Sequence, residues 1–462
     1  MESIIDYQIQ NKYSYCVHIA DVHIRNEDGD INSRFTEYKI VFENLLIDIK
    51  NKKIKKTNTV IVLAGDIFHD ARKEKGRTTA NAVLLFKDFI QSLMKYGTVI
   101  VIPGNHDNNI TYQTQSNEMT DTLTSIFKDM KGLDKHLFYL KNTGIYKIGN
   151  CLMYTTSVFD LDCIKGNSNY IQRQQLLPKK IKNSEFHDYN HICLLHCGVQ
   201  SQKLSNGHLL KDYDFSIQDL VDYDITMLGD THQHQFLGDK ENIAYPSSLI
   251  QQNYGESLNN HGYILWNLET NKGQFYDIPN DYGFVSINLI DKNINTIDIS
   301  NIMFPKKSKI IIKHNQNNEQ FLIPFKENIQ QKTDIIEWKI RKQINIDKKE
   351  NNIENINNTE LFLTFLKTKY NEDTKEYNYI HNQIKQVIQK NKYSGNNIWN
   401  LEKLVVHNFQ NYKGNHELLN FIDFNENQII SILGKNASGK STIGRALSYV
   451  IWGKDIYNID TY

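Results

Sequence analysis

Proline is scarce in this chain, at 6 of 462 residues, and cysteine scarcer still, at 5. With few prolines, long stretches are free to form ladders or helices. Cys16, Cys151, Cys163, Cys193 and Cys197 are odd in number and form no C-x-x-C pair. That argues against a disulfide scaffold or a zinc site and for buried free thiols. No apolar run approaches a membrane span, and the opening MESIIDYQIQNKYSY lacks the basic-then-apolar order of a secretory signal. An intracellular protein with no membrane partner is expected. Nor does one sign of charge prevail: 53 basic and 53 acidic side chains cancel, so no overall field draws the chain to a polyanion. Three short basic runs remain, Lys52–Lys56, Lys179–Lys182 and Lys306–Lys309. They read as solvated loops, although a DNA-binding surface needs only some of them on one face.

What is present is a globular composition, 40% hydrophobic and 11% aromatic. It is long enough for two or three domains. The richness in Asn, Ile, Lys and Tyr is the bias of an AT-rich coding sequence, such as that of a large DNA virus or an AT-rich microbe. From residue 15 to about 268, short β-rich runs alternate with helix-patterned segments. The runs are Cys16–Ala20, Val60–Ala64, Val99–Ile102, Ile192–Leu195 and Ile225–Leu228. Each has the length and composition of a strand buried on both faces. Ala80–Tyr96 carries apolar residues at helical spacing, and a second amphipathic helix is expected around Met119–Met130. This alternation predicts an α/β layered core.

Phe284–Ile290 and Ser308–Lys313 predict a small accessory β-rich domain. Residues 346–358 and 391–400 read as polar linkers flanking two short amphipathic helices, Leu361–Tyr370 and Tyr377–Lys390. These helices either complete a core or dock a partner. From Leu401 onward the order is strand, turn, strand, loop, helix, with strands at Leu404–Phe409 and Ile429–Leu433 and a helix at Thr442–Trp452.

Polar residues with metal-ligand chemistry stand just past the C-terminal end of each of the five runs. They are Asp21 and His23, Asp66, Asn105 with His106 and Asp107, His196, and Asp230-Thr231-His232-Gln233-His234. Strand ends on one edge of an α/β sheet converge, so residues far apart in sequence can share a site there. Carboxylate, amide oxygen and imidazole suit hard divalent cations, Mn²⁺ or Mg²⁺, better than thiolate would. Two such ions about 3.5–4 Å apart need a bridging carboxylate and can clamp both oxygens of a phosphodiester displacement. Asp66 is the natural bridge, with Asp21 and His23 on one ion and Asn105 and His196 on the other. The last segment should supply one ligand to each ion. Taken singly these motifs are ordinary; the ordered set is not. His18, His191, His208 and His261 read as structural.

The order D-x-H, G-D, G-N-H-D, H, G-x-x-H resembles the calcineurin-like metallophosphoesterases. Two longer strings, Gly65-Asp66-Ile67-Phe68-His69-Asp70-Ala71-Arg72 and Leu194-Leu195-His196-Cys197-Gly198, resemble the nuclease subunit of the SbcCD and MRN complexes of double-strand-break repair. The resemblance implies a layered α-β-β-α nuclease domain over residues 1–278 and a capping domain over 279–345. It implies a Mn²⁺-dependent exo- or endonuclease, with Mg²⁺ the alternative, that forms a homodimer on DNA. Asp21, His23, Asp66, Asn105 and His196 carry over as ligands. His106 carries over as the group that protonates the leaving oxygen or stabilises developing charge, with Asp107 orienting it and His69 approaching the same phosphate. The family's G-H-x-H stands here as Gly229-Asp230-Thr231-His232-Gln233-His234. Counted from the glycine, Asp230 and His232 are the ligands; counted by histidines, His232 and His234 are. The glycine register is favoured because the glycine fixes the turn. Ser247 also stands where a glycine is usual.

A second motif follows a predicted strand and precedes a predicted helix: Gly434-Lys435-Asn436-Ala437-Ser438-Gly439-Lys440-Ser441-Thr442. Backbone N–H groups of Asn436, Ala437, Ser438, Gly439, Lys440 and Ser441 would cradle phosphates. Lys440 would reach the terminal phosphates and Ser441 would ligate Mg²⁺. With Leu404–Tyr412 before it, the segment resembles the N-terminus of an SbcC-type ATPase, the partner of that nuclease. The resemblance implies a linker with an ATPase-docking helical segment over 346–400 and a partial P-loop ATPase lobe over 401–462. ATP binding is then expected to be weak unless an SbcC-like polypeptide supplies the coiled coil, the signature motif and the C-terminal lobe.

Overall fold

In the computed structural model, β-branched runs become strands and the helix-patterned segments between them become helices. The structure describes residues 3–25, 34–69, 78–107, 121–130, 135–160, 170–204, 207–290, 299–315, 319, 322–342, 374, 377–378, 380–382, 403–409, 412–420, 442–443 and 445–446. The chain divides into two compact units, 1–345 and 346–462.

The first unit opens with β1 (Ile4–Asp6), β2 (Tyr15–Ile19), α1 (Phe35–Asn51), β3 (Thr59–Ala64), α2 (Ala80–Leu93), β4 (Thr98–Ile102), α3 (Thr122–Asp129) and β5 (Leu137–Tyr139). It continues with β6 (Gly144–Ile148), β7 (Cys151–Thr156), β8 (Asn190–His196), β9 (Ile225–Gly229), β10 (Gln235–Leu237), β11 (Ile243–Tyr245), β12 (Gly262–Asn267) and β13 (Lys272–Asp277). One sheet has the order β13-β12-β2-β3-β4-β5, with β2 to β5 parallel. The other has the order β1-β6-β7-β8-β9-β11-β10, with β7, β8, β9 and β11 parallel.

Alternation along the strands stacks the layers. Val17, Ile19, Ile61 and Leu63 turn outward to α1, α2 and α3, whereas Cys16, Val60, Val62 and Ala64 turn inward against Ile192, Leu194 and Met227 of the facing sheet. The outer face of that second sheet buries Tyr154, Cys193 and Leu195 against Phe215, Leu220 and Tyr223. This is the α-β-β-α layering expected. α2 begins at Thr79, whose hydroxyl accepts from the Ala82 N–H, and buries Phe86, Phe89, Ile90 and Leu93 at helical spacing.

β14 (Tyr282–Asn288), β15 (Lys307–His314) and β16 (Asp334–Lys342) form a three-stranded parallel sheet. The helix Leu322–Gln330 packs on it through Leu322, Phe325 and Ile329. In the second unit, β17 (Lys403–Phe409) pairs antiparallel with β18 (Tyr412–Asn420). The strand expected at Ile429–Leu433, most of the two linker helices, and the phosphate loop Gly434–Ser441 lie outside the described residues. Cys16, Cys151, Cys193 and Cys197 are buried free thiols, while Cys163 lies outside the described residues. Among the described residues, no helix is long and apolar enough to cross a membrane.

Buried polar contacts tie the two sheets together, and one of them is made by a histidine outside the candidate ligands. His18 on β2 is fully buried, and its Nε2–H donates to the Leu228 carbonyl oxygen of β9 at 3.1 Å. Burial pushes its pKa down to about 3, against about 6.5 in an unfolded chain. Between those values unfolding takes up a proton. The contribution is therefore full above pH 6.5 and is lost progressively as pH falls toward 3. His18→Leu should flatten this acid limb, as read by urea unfolding at about pH 7 and about pH 4. An acid limb as steep as wild type would show that His18 does not set it.

Candidate metal centre

Asp21 and His23 follow β2, Asp66 follows β3, and Asn105 and His106 follow β4; His196 closes β8, and Asp230 and His232 follow β9. The site thus draws on both sheets, and the sheets must touch at this edge. His196 Nδ1–H donates to Ala64 O at 2.8 Å, and the Asp230 N–H donates to Asp21 Oδ1 at 3.1 Å. Glycine makes the approach possible. A Cβ on Gly229 would sit 2.0 Å from Ala64 O, and one on Gly65 would sit 2.4 Å from His196 Nδ1. Asp21, His23, Asp66 and Asp230 have φ of 52°, 49°, 50° and 92°. Left-handed backbone costs most L-residues roughly 1–2 kcal/mol, and Asn, Asp and His are the types found there most readily. Ser247 also has a positive φ, 86°. It is buried, and its hydroxyl donates to Ser248 O at 2.9 Å.

Asp66 lies between two donor groups. Its Oδ2 is 3.5 Å from His23 Nε2, and its Oδ1 is 3.3 Å from His196 Nε2 while accepting the His106 N–H at 2.7 Å. On the first side, His232 Nε2 is 2.9 Å from His23 Nε2, and each is 3.9 Å from Asp21 Oδ1. On the second side, Asp230 Oδ1 is 3.8 Å from His196 Nε2 and 3.5 Å from Asn105 Nδ2. His196 Nδ1 faces a carbonyl, which can only accept, so Nδ1 carries a proton and Nε2 is the nitrogen turned toward Asp66.

Charge in the cluster is unbalanced. Burial raises the Asp21 pKa to about 7. Burial alone would raise Asp66 too, but His196 and His23 hold it well below the carboxylate range. Burial would lower His196, yet Asp66 lifts it well above the usual imidazole value. Burial would likewise lower His232, but its hydrogen bond to Glu256, and then Asp21, carry it up to about 9. His23, by contrast, is pushed well below its ordinary value by burial. Three carboxylates that draw protons onto neighbouring imidazoles make a site suited to a cation.

His106 stands beside this cluster. Its Nδ1–H donates to His69 O at 2.8 Å, and its ring stacks on that of His69 with centroids 5.4 Å apart. Asp107 does not orient it. The Asp107 carboxylate instead accepts the N–H groups of Ile67, Phe68 and Gly104 at 3.2, 3.0 and 2.8 Å, tying the second ligand loop to the third. His234 turns away from the cluster: its Nδ1–H donates to Tyr245 O at 3.1 Å, and its ring stacks on Phe275 at 4.0 Å. The histidine register therefore brings one residue fewer to the site than the glycine register does. Glu256, which no motif marks, reaches His232 from the loop after β11.

With that geometry, residues 16–236 match the family of calcineurin-like phosphoesterases, and residues 403–460 match an AAA domain. The chain carries a calcineurin-like phosphoesterase domain. An uncharacterized protein of Acanthamoeba polyphaga mimivirus is 28% identical over 480 residues, which cover 97% of this chain and 32% of that protein. The chain thus spans about a third of the length of the curated relative it matches.

Phosphoesterases of this family imply divalent metal ions, and the residues of the phosphoesterase domain fit them. Asp21, His23 and His232, and likewise Asp21, Asp66 and His196, bring their ligand atoms within 4.8 Å of one another. His23, His69 and His106 do the same. His196 Nε2 and Asn105 Oδ1 are buried with no hydrogen-bond partner among the described residues, and His196 Nε2 lies 3.3 Å from Asp66 Oδ1. Asp230→Ala should therefore cost more metal and more hydrolysis than His234→Ala, as measured by metal content and turnover of purified variants. The reverse ranking would return the register to the histidine count.

Proposed function

We propose that the chain is a two-metal-dependent DNA nuclease of the SbcCD and MRN type, acting in DNA-end processing. The observation that carries the hydrolytic part is Asp66, whose two oxygens face two separate donor groups. Asp21, His23 and His232 would hold one ion with it; Asn105, His196 and Asp230 would hold the other. Two bound divalent ions, Mn²⁺ by preference, supply Lewis acidity and a water acidic enough to ionise near neutral pH. His106, its Nδ1 proton committed to His69 O, presents Nε2 to the substrate; when Nε2 also carries a proton, the ring can hand that proton to the leaving oxygen and is left neutral.

DNA as the substrate is supported by the strings around Asp66 and His196 and by the match to an AAA domain in the same chain, which a phosphatase of small substrates does not need. One basic residue also stands next to the centre in the chain: Arg25 follows the His23 loop. The partners proposed with DNA are a second copy of the chain and an SbcC-like ATPase polypeptide.

Labelled linear duplex, hairpin and single-stranded DNA, each with Mn²⁺, Mg²⁺ or chelator, test this directly, with bis(p-nitrophenyl) phosphate as a small diester. Metal-dependent DNA cleavage is the expected result. Turnover of the small phosphoester with no DNA cleavage would replace the nuclease by a phosphodiesterase of small substrates.

A further inference from the structure

Glu256 has a side chain only 4% exposed. Its carboxylate is held on three sides. Oε1 accepts from His232 Nδ1–H at 2.9 Å and from Asn253 Nδ2 at 2.7 Å, and Oε2 accepts the Gln252 N–H at 2.6 Å. A carboxylate so fixed decides which nitrogen of His232 carries the proton. It sits on Nδ1, and Nε2 is left facing His23 at 2.9 Å and Asp21 at 3.9 Å.

The loop bearing Glu256 is itself pinned to the three-stranded sheet. Gln251 Nε2 donates to Glu256 O at 3.0 Å and to Phe284 O at 3.1 Å, while its Oε1 accepts the Phe284 N–H at 2.7 Å. From below, Arg34 donates to Gln251 O at 2.7 Å.

We propose that Glu256 is the positioning residue of His232, and that Gln251 makes the geometry of this one cation position depend on how β14 is seated. The inference rests on the metal-centre reading above. A histidine that binds a cation through one nitrogen needs its other nitrogen held, and loss of such a partner typically costs about 10–100-fold in metal affinity. Because Glu256 touches only His232 among the ligand candidates, one of two binding steps should suffer and the other should not.

The test is calorimetric titration of the full chain with Mn²⁺ for wild type, Glu256→Ala and Glu256→Gln. It is paired with the ¹⁵N ring shifts of His232 in the metal-free proteins at a pH above about 9, where the ring is neutral. Glu256→Ala should weaken one of two steps by about 10–100-fold and leave the other within about threefold. The ring of His232 should pass from the Nδ1–H form to a mixture. Glu256→Gln keeps the volume and one acceptor oxygen, so it should fold and show a smaller loss at the same step. If both steps keep wild-type affinity in Glu256→Ala and the ring stays in the Nδ1–H form, Glu256 does not position His232. Equal weakening of both steps would mark a general structural role and overturn the proposal too. A wild-type chain that takes up no Mn²⁺ would defeat the metal centre itself, an outcome distinct from either.

Discussion

Replacing Asp66 with alanine should leave a folded protein that has lost one or both cations and whose hydrolysis falls to background. Asp66 has an oxygen toward each donor group, at 3.5 Å from His23 and 3.3 Å from His196. Asp21 reaches both groups as well, but stands 3.9 Å from His23 where Asp66 stands 3.5 Å, and Asp230 lies on the His196 side. The strands that carry the site do not depend on it: β3 is buried along its whole length and pairs with β2 and β4 through the backbone. Mass spectrometry of metal content reads the loss directly. A thermal melt gives a second measure, because a ligand at a hundred times its Kd adds about 2.7 kcal/mol to stability. Mn²⁺ should raise the wild-type melting temperature and move that of Asp66→Ala far less. Two ions per chain in the variant would remove Asp66 from the bridging role.

His106→Ser should separate chemistry from binding. The His106 contact to the Asp66 carboxylate is made by its backbone N–H, at 2.7 Å, and survives any change of side chain. What disappears is the imidazole held by His69 O. Loss of one positioned proton donor typically costs about 10²–10⁴ in rate. Turnover should therefore fall at least about a hundredfold while metal content and DNA affinity hold. A variant that instead lost an ion would make the trio His23, His69 and His106 a ligand set in its own right.

The parts of the fold legible in sequence were those where one period dominates. β3 and β4 are buried at every residue, so they appear as unbroken β-branched runs. α2 shows helical spacing because only one side of it meets the sheet, although it stops at Leu93, short of the expected Tyr96. β6 and β7 went unmarked: Tyr146, Lys147 and Asn150 interrupt the apolar pattern, and the two strands are joined by a tight turn at Gly149 and Asn150. Ligand candidates were visible because each follows a strand end directly. Partners of those candidates were not. Asp107 binds backbone N–H groups about 40 residues back, and Glu256 meets His232 across 24 residues, so neither contact leaves a local spacing to read. The resemblance implies that Asp107 orients His106, whereas its carboxylate accepts the backbone N–H groups of Ile67, Phe68 and Gly104.

The left-handed turns under Asp21, His23, Asp66 and Asp230 also limit how such a centre can change over evolutionary time. At these positions the chain has a small alphabet: aspartate, asparagine, histidine and glycine enter cheaply, and branched or bulky residues do not. Exchanges within that alphabet keep the turn and alter the donor atom. Aspartate at residue 230 is one member of that alphabet, offering a hard oxygen where histidine would offer a nitrogen, at a φ of 92°. The backbone thus holds the places of the ligands while leaving their hardness, and with it the choice of cation, open to drift by single substitutions.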